Sequence, residues 1–152
     1  MNKVKPLFFL ILFVAVLLLA SLQRAPGFSF FGIVPGLLIA FLIPLSFFIE
    51  DFYQYFALII FGSALAQPRA GINLISFVIL GTFLVSWWVR RKFLVQSLYS
   101  NFLAITFATL LVYLFIAPSF ILSWAFLLEL LYNEVIATVF FGIFWRYKHF
   151  LS

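Results

Sequence analysis

Cysteine is absent from this 152-residue chain, and charged residues are scarce. Without cysteine there is no disulfide, no thiolate nucleophile and no cysteine-ligated metal site. Only 9% of the residues are charged, against about 25% in an ordinary soluble domain. So few charged groups cannot cover a water-facing surface. The composition therefore excludes a soluble enzyme, a disordered tail and a cytosolic binding module.

Residue types that carry chemistry are equally sparse. His149 is the single histidine, so a histidine-based metal site is not expected. The sequence has no phosphate-binding glycine loop, no paired-histidine zinc motif and no nucleophile elbow. Its basic residues do not interleave with aromatics as they do in nucleic-acid-binding proteins. We therefore expect no catalytic residues, no cofactor and no nucleic-acid partner.

Apolar residues dominate the chain: 67% are hydrophobic, and the mean hydropathy is +1.28. A crossing of the bilayer takes about 20 apolar residues, so a chain of this length has room for about six. Breaks in the apolar runs predict an all-α integral membrane protein, a six-helix transmembrane bundle that forms a single transmembrane domain over residues 1–152. The predicted spans are residues 6–22, 28–49, 52–66, 71–89, 98–117 and 119–145.

The first two runs differ in regularity. The first is interpreted as a retained helix rather than a signal peptide, because no A-x-A cleavage pattern precedes Arg24. The second contains Pro35 and Pro44, so we expect it to be kinked or partly unwound. Within it, Gly32 and Gly36 match the small-residue motif of helix–helix contacts.

Several residues mark the ends of the later runs. Asp51 is suited to cap the third helix, since its carboxylate can accept from free N–H groups. Either Ser97 or Ser100 can cap the fifth helix. Tyr53 and Tyr55 lie near a run end and are interpreted as part of an interfacial aromatic belt.

The positions of lysine and arginine predict the orientation. If six spans place both termini on one side, that side holds seven of the nine basic residues, and Arg24 and Arg69 lie on the other. The positive-inside rule then places both termini in the cytoplasm. The clusters next to interfacial tryptophans are the predicted topology anchors, namely Arg90, Arg91, Lys92, Arg146 and Lys148.

Glu129 and Glu134 are the only acidic residues inside a predicted span. On a helix Glu129 and Asn133 share a face, while Glu134 points elsewhere and could meet Thr138. One reading is a buried polar contact, within the bundle or to a partner helix. The other follows from length: the last run would rise about 40 Å as one helix. It would then tilt strongly or break near residues 131–134, which would leave Glu134 near the surface.

Two segments carry a resemblance to a known family. Residues 129–144, with a Leu-Tyr-Asn segment in an apolar helix and then the basic Arg146, resemble the end of the rod shape-determining protein MreD family. Residues 62–73 resemble its central region, although Gln67 stands where family members often have an acidic residue. The resemblance implies a non-enzymatic subunit of the bacterial inner membrane. Its protein partners would be MreC, the MreB cytoskeleton and the enzymes of lateral cell-wall synthesis, in addition to the membrane lipid that the composition itself implies.

The resemblance also supplies an alternative. The family's membrane fold is similar to that of substrate-binding subunits of energy-coupling-factor transporters, which would make this chain a small-molecule-binding membrane subunit. That function needs a polar cavity between helices. The polar residues that could line such a cavity are Gln67, Asn73, Asn101, Glu129 and Asn133. A third class, an integral-membrane enzyme, needs a cluster of titratable groups that the sequence lacks.

Overall fold

The structure, a computed structural model, describes residues 4–25, 29, 33–34, 36–65, 74–93 and 95–151, with the backbone alone at 74–76. Within these ranges the chain is helical and contains no β-strand. The helices are α1 (Pro6–Arg24), α2 (Leu37–Ser46), α3 (Phe52–Leu65), α4 (Leu74–Phe93), α5 (Leu98–Ile116), α6 (Trp124–Arg146) and the short α7 (Lys148–Leu151), with a 3₁₀ turn at Pro118–Phe120.

Helices α1, α5 and α6 are long and apolar enough to cross a membrane. Helices α2 and α3 are apolar but shorter, with 10 and 14 residues. The prediction of an all-helical fold is therefore confirmed for the described residues, and three of the helices could span a membrane.

Helix α2 lies at the centre of the fold. All ten of its residues are buried, and it packs against α1, α3, α4, α5 and α6. Its helix begins only at Leu37, and Ile33 and Val34 are not helical, so the second predicted run, 28–49, is partly unwound as its prolines indicate. Pro44 lies inside α2, where its missing N–H leaves one backbone carbonyl without its usual partner. The motif residue Gly32 and the neighbouring Pro35 lie outside the described residues.

Helix α6 is continuous. It begins at Trp124, where the Ser123 side chain accepts from the Phe126 N–H, and it passes Asn133 without a break. Its 23 residues rise about 34 Å, close to the hydrocarbon thickness of about 30 Å. The helix is shorter than the predicted span 119–145, because residues 118–120 form a separate 3₁₀ turn. Neither a strong tilt nor a break near 131–134 is needed.

The structure confirms two predicted helix caps and corrects the predicted position of one tyrosine. Asp51 accepts from the N–H of Tyr53 at 2.8 Å, which confirms the predicted cap of α3. Ser97, not Ser100, caps α5. The interfacial reading of Tyr55 is wrong, because its side chain is fully buried and faces α2, whereas Tyr53 is 76% exposed.

Basic residues near the start of α1 and near the ends of α4 and α6 lie at the same end of the fold. Lys5 lies 5.1 Å from the ring of Phe150, beyond the end of α6. The loop after α2 contacts the ends of both α4 and α6, through Arg90 on Phe47 and through the Phe48–Trp145 ring pair. The basic residues 5, 90, 91 and 148 are thus carried at one end of the described structure. Arg24 lies at the other end of α1, where it donates to the Leu65 carbonyl at the end of α3.

Candidate functional site: side chains at the ends of the buried helix

A short buried helix presents a problem of unsatisfied backbone groups. The first N–H groups and the last carbonyls of any α-helix have no partner within it. In an apolar environment each such group costs several kcal/mol unless another group pairs with it. Helix α2 has no capping side chain of its own at Gly36. Polar side chains of neighbouring helices are therefore needed to pair with the free backbone groups of α2.

Two side chains from other helices serve the N-terminal end of α2. The Oδ1 of Asn133 accepts from the Gly36 N–H at 2.8 Å. The Oε1 of Gln23 accepts from the Leu38 N–H at 3.2 Å. Asn133 is completely buried, and its Nδ2 donates to the Thr109 hydroxyl on α5 at 3.3 Å. One asparagine on α6 thus ties α2 and α5 to the same helix.

The absence of a side chain at Gly36 is part of this arrangement. A Cβ at this position would lie 3.2 Å from the Nδ2 and 3.3 Å from the Oδ1 of Asn133. Both distances are shorter than ordinary van der Waals contact, so the amide of Asn133 would have to shift. Glycine therefore allows the amide to approach the backbone N–H closely.

Hydroxyl groups serve the C-terminal turn of α2. The buried Tyr55 hydroxyl donates to the Leu42 carbonyl at 2.9 Å, and the Ser46 hydroxyl donates to the Ile43 carbonyl at 2.6 Å. The first of these bonds explains why Tyr55 faces the core. The end of α2 is therefore satisfied by α3 as well as by its own serine.

Two of the predicted topology anchors also hold the segment after α2. Arg90 donates to the Phe47 carbonyl and lies over the Phe47 ring, with its guanidinium carbon 5.5 Å from the ring centroid. Arg91 donates to the Glu50 carbonyl and lies over Trp87. The remaining anchors, Lys92, Arg146 and Lys148, are exposed like Arg91, and Lys148 lies over the Trp145 ring. The arginines at the end of α4 therefore have a structural contact in addition to any effect on orientation.

The predicted site residues on α6 all face α5, in an antiparallel series. The Tyr113 hydroxyl donates to the Oε2 of Glu129, Asn133 donates to Thr109, and the Thr106 hydroxyl donates to the Oε1 of Glu134 at 2.8 Å. As α6 proceeds from 129 to 134, its partners on α5 go back from 113 to 106. Three hydrogen bonds therefore fix the register of these two helices.

Glu134 differs from the other two residues of the series. Its backbone carbonyl, not its carboxylate, accepts from the Thr138 hydroxyl at 2.8 Å. Its Oε2 has no hydrogen-bond donor among the described residues. By contrast, the Glu129 oxygen that pairs with Tyr113 and both polar atoms of Asn133 are engaged inside the bundle. The structure thus brings Glu129 and Asn133 into internal contacts and leaves half of the Glu134 carboxylate unpaired.

Sequence reasoning missed Gln23, which supports α2 across 15 residues of sequence. Asn101 was considered as a cavity residue, but it is fully buried, and neither polar atom of its amide has a partner among the described residues. No local signal distinguishes these side chains, because their partners or surroundings belong to other helices.

The chemistry available here is that of contacts between helices. Among the described residues, no three His, Cys, Asp or Glu side chains come together in a way that could hold a metal ion. Gln67, Arg69 and Asn73 lie outside the described residues. Comparison of the chain with protein-family models, curated proteins and solved structures finds no match.

Proposed function

We propose that this chain is a non-enzymatic membrane subunit of the bacterial cell-elongation machinery, which assists peptidoglycan synthesis through contacts with partner membrane proteins. The observation that carries the proposal concerns residues 129–144, the segment that resembles the MreD family. Its Asn133 holds α2 and α5, and its Glu129 holds Tyr113. The polar side chains of this segment therefore hold the helices of this chain together, and the link to wall synthesis comes from the resemblance.

The proposal includes six crossings with both termini in the cytoplasm of a bacterial inner-membrane protein. It is supported by the position of Lys5, Arg90 and Arg91 at one end of the described helices and of Arg24 at the other. Reporter fusions at residue 152 and in the 68–69 loop test this orientation. We expect a cytoplasmic signal from the first fusion and a periplasmic signal from the second. A periplasmic C-terminus would contradict the assignment.

Purification from native membranes tests the function. The tagged chain is expressed at its natural level, extracted in mild detergent and analysed by mass spectrometry, with an untagged strain as the control. We expect MreC and the wall-synthesis enzymes to be recovered. Specific recovery of an ATPase module would instead favour the alternative, a small-molecule-binding subunit of an energy-coupling-factor-type transporter, and would overturn the proposal.

A further inference from the structure

An apolar groove runs along the outer face of α5 and α6. It has a volume of about 650 Å³ and is lined by Phe102 of α5 and by Leu127, Leu131, Val135, Glu134 and Thr138 of α6, among others. The three aliphatic residues are spaced by four, so they form one ridge along α6. Each of them is about half exposed. Glu134 is the one carboxylate in this lining.

The depth of Glu134 makes its environment unfavourable for an isolated charge. Glu134 is the eleventh of the 23 residues of α6, about 15 Å from its start, and its partner Thr106 is the ninth of the 19 residues of α5. Both residues therefore lie near the middle of helices that are long enough to cross a membrane. A carboxylate at this depth is stable when it faces protein or water or meets a partner group.

The carboxylate is only half satisfied by this chain. Thr106 occupies Oε1, while Oε2 lies beneath the groove surface without a donor among the described residues. An ionised carboxylate can accept several hydrogen bonds, so one hydroxyl leaves most of its capacity unused. Oε2 is itself buried, so pairing with a donor in the groove requires a rotamer change of Glu134 or of a neighbouring side chain. Such changes take nanoseconds or less in exposed side chains.

We propose that this groove binds a transmembrane helix of a partner protein that carries a lysine or arginine near the middle of its span. The apolar ridge of α6 supplies the packing surface, and the cation pairs with Glu134. Each charge then neutralises the other at a depth where either alone is unfavourable. This inference rests on the proposed function in one respect, because the helix would belong to a subunit of the assembly described above.

Two other occupants fit the groove less well. A second copy of this chain, related by a twofold axis through the groove, would place Glu134 against Glu134, because such an interface meets its own surface. Neither Glu134 carboxylate would then have a positively charged partner. Lipid chains fit the apolar lining but have no hydrogen-bond donor at this depth. A basic partner helix satisfies both the apolar ridge and the carboxylate.

Association with a synthetic helix tests the inference directly. The full chain, labelled with a fluorescent donor, is reconstituted in phosphatidylcholine vesicles with an acceptor-labelled helix of leucine and alanine. The probe helix has one central lysine, and the control helix has leucine at that position. A central lysine meets Glu134 whether the probe lies parallel or antiparallel to α6. Energy transfer as a function of probe density gives the association constant.

We expect the lysine probe to bind the wild-type chain about 3- to 30-fold more strongly than the leucine probe, the range of one polar contact between membrane helices. Glu134→Gln should reduce this preference at least threefold. Glu129→Gln makes the same chemical change on the side of α6 that faces Tyr113, and it should retain the preference. Leu131→Trp should fill the groove and weaken the binding of both probes.

Equal binding of the two probes to the wild-type chain would overturn the inference. So would a lysine preference that survives Glu134→Gln, or undiminished binding of the probes to Leu131→Trp. This failure is distinguishable from failure of the proposed function. Recovery of wall-synthesis proteins from native membranes, combined with no preference for the lysine probe, would refute the groove alone. A lysine preference combined with recovery of an ATPase module would refute the elongation role alone.

Discussion

The backbone N–H of Gly36 donates a 2.8 Å hydrogen bond to the side chain of Asn133, which lies 97 residues further along the chain. This contact joins the start of the buried helix α2 to the middle of α6. It gives α2 a cap that its own sequence lacks. A helix without polar side chains at its start can therefore be buried on every side.

Asn133→Leu should lower the stability of the folded bundle. The leucine fills a similar volume but leaves the Gly36 N–H and the Thr109 hydroxyl without this partner. An unsatisfied buried group costs about 1–3 kcal/mol, so the free energy of unfolding should fall by that amount. Thermal unfolding in detergent, followed by intrinsic tryptophan fluorescence, measures the change. An unaltered midpoint would show that the asparagine does not support α2.

Asn101→Leu should have the opposite effect. Asn101 is as completely buried as Asn133, but its amide has no partner among the described residues. Replacing an unpaired buried polar group with an apolar one of similar shape removes its desolvation cost, so the unfolding midpoint should rise. The two variants make the same substitution and should shift the midpoint in opposite directions. A fall for Asn101→Leu would mean that its amide is satisfied and stabilising.

The sequence predicts the outer helices better than the central one. The runs 6–22, 52–66 and 98–117 lie within two residues of the observed ends of α1, α3 and α5, because polar or turn residues bound each of them. Helix α2 could not be delimited in this way. It is buried on all sides, so its sequence is apolar from Leu37 to Leu45 and has no periodicity to mark its start.

The sequence predicts which polar residues of α6 belong to the candidate site, but not which residues of other helices they contact. Spacing alone indicates that Glu129 and Asn133 share a face of α6, and the structure places both toward α5. Spacing cannot reveal that Asn133 also reaches Gly36, because that partner depends on how α2 packs. The correction at Tyr55 has the same origin: its acceptor is a carbonyl of a different helix.

The Tyr113–Glu129 pair should contribute a measurable coupling energy. The hydroxyl donates to the carboxylate across the α5–α6 interface, and both side chains are partly buried. A double-mutant cycle with Tyr113→Phe and Glu129→Gln in detergent should give a coupling of about 0.6–2 kcal/mol. Strict additivity of the two single variants would contradict a direct contact.

Arg90→Met should destabilise the bundle without changing its orientation. It removes the guanidinium that donates to the Phe47 carbonyl and keeps an apolar side chain of similar length. A hydrogen bond to a charged group contributes about 1.5–3 kcal/mol, and the unfolding midpoint should fall accordingly. Lys92→Met is the matched control, since it removes one positive charge from an exposed position at the same end of α4.

Reporter fusions and thermal unfolding are measured together for these two variants. Both should keep the wild-type orientation, because the proposed topology still places six basic residues on one side and two on the other. Equal stability of Arg90→Met and Lys92→Met would mean that Arg90 acts through its charge alone.

The central claim is that α6 has two polar functions on adjacent residues: Asn133 holds the bundle together, and Glu134 is available to a partner helix. The most direct test compares Asn133→Leu with Glu134→Gln in the same vesicles, measuring both the unfolding midpoint and the association constant of the lysine-bearing probe helix. We predict that Asn133→Leu lowers the midpoint while its folded fraction keeps the lysine preference. We predict that Glu134→Gln keeps the midpoint within about one or two degrees, because the glutamine oxygen can still accept from the Thr106 hydroxyl, and that it loses at least threefold in association. If both variants change the same quantity, the two functions are not separate and the account is wrong.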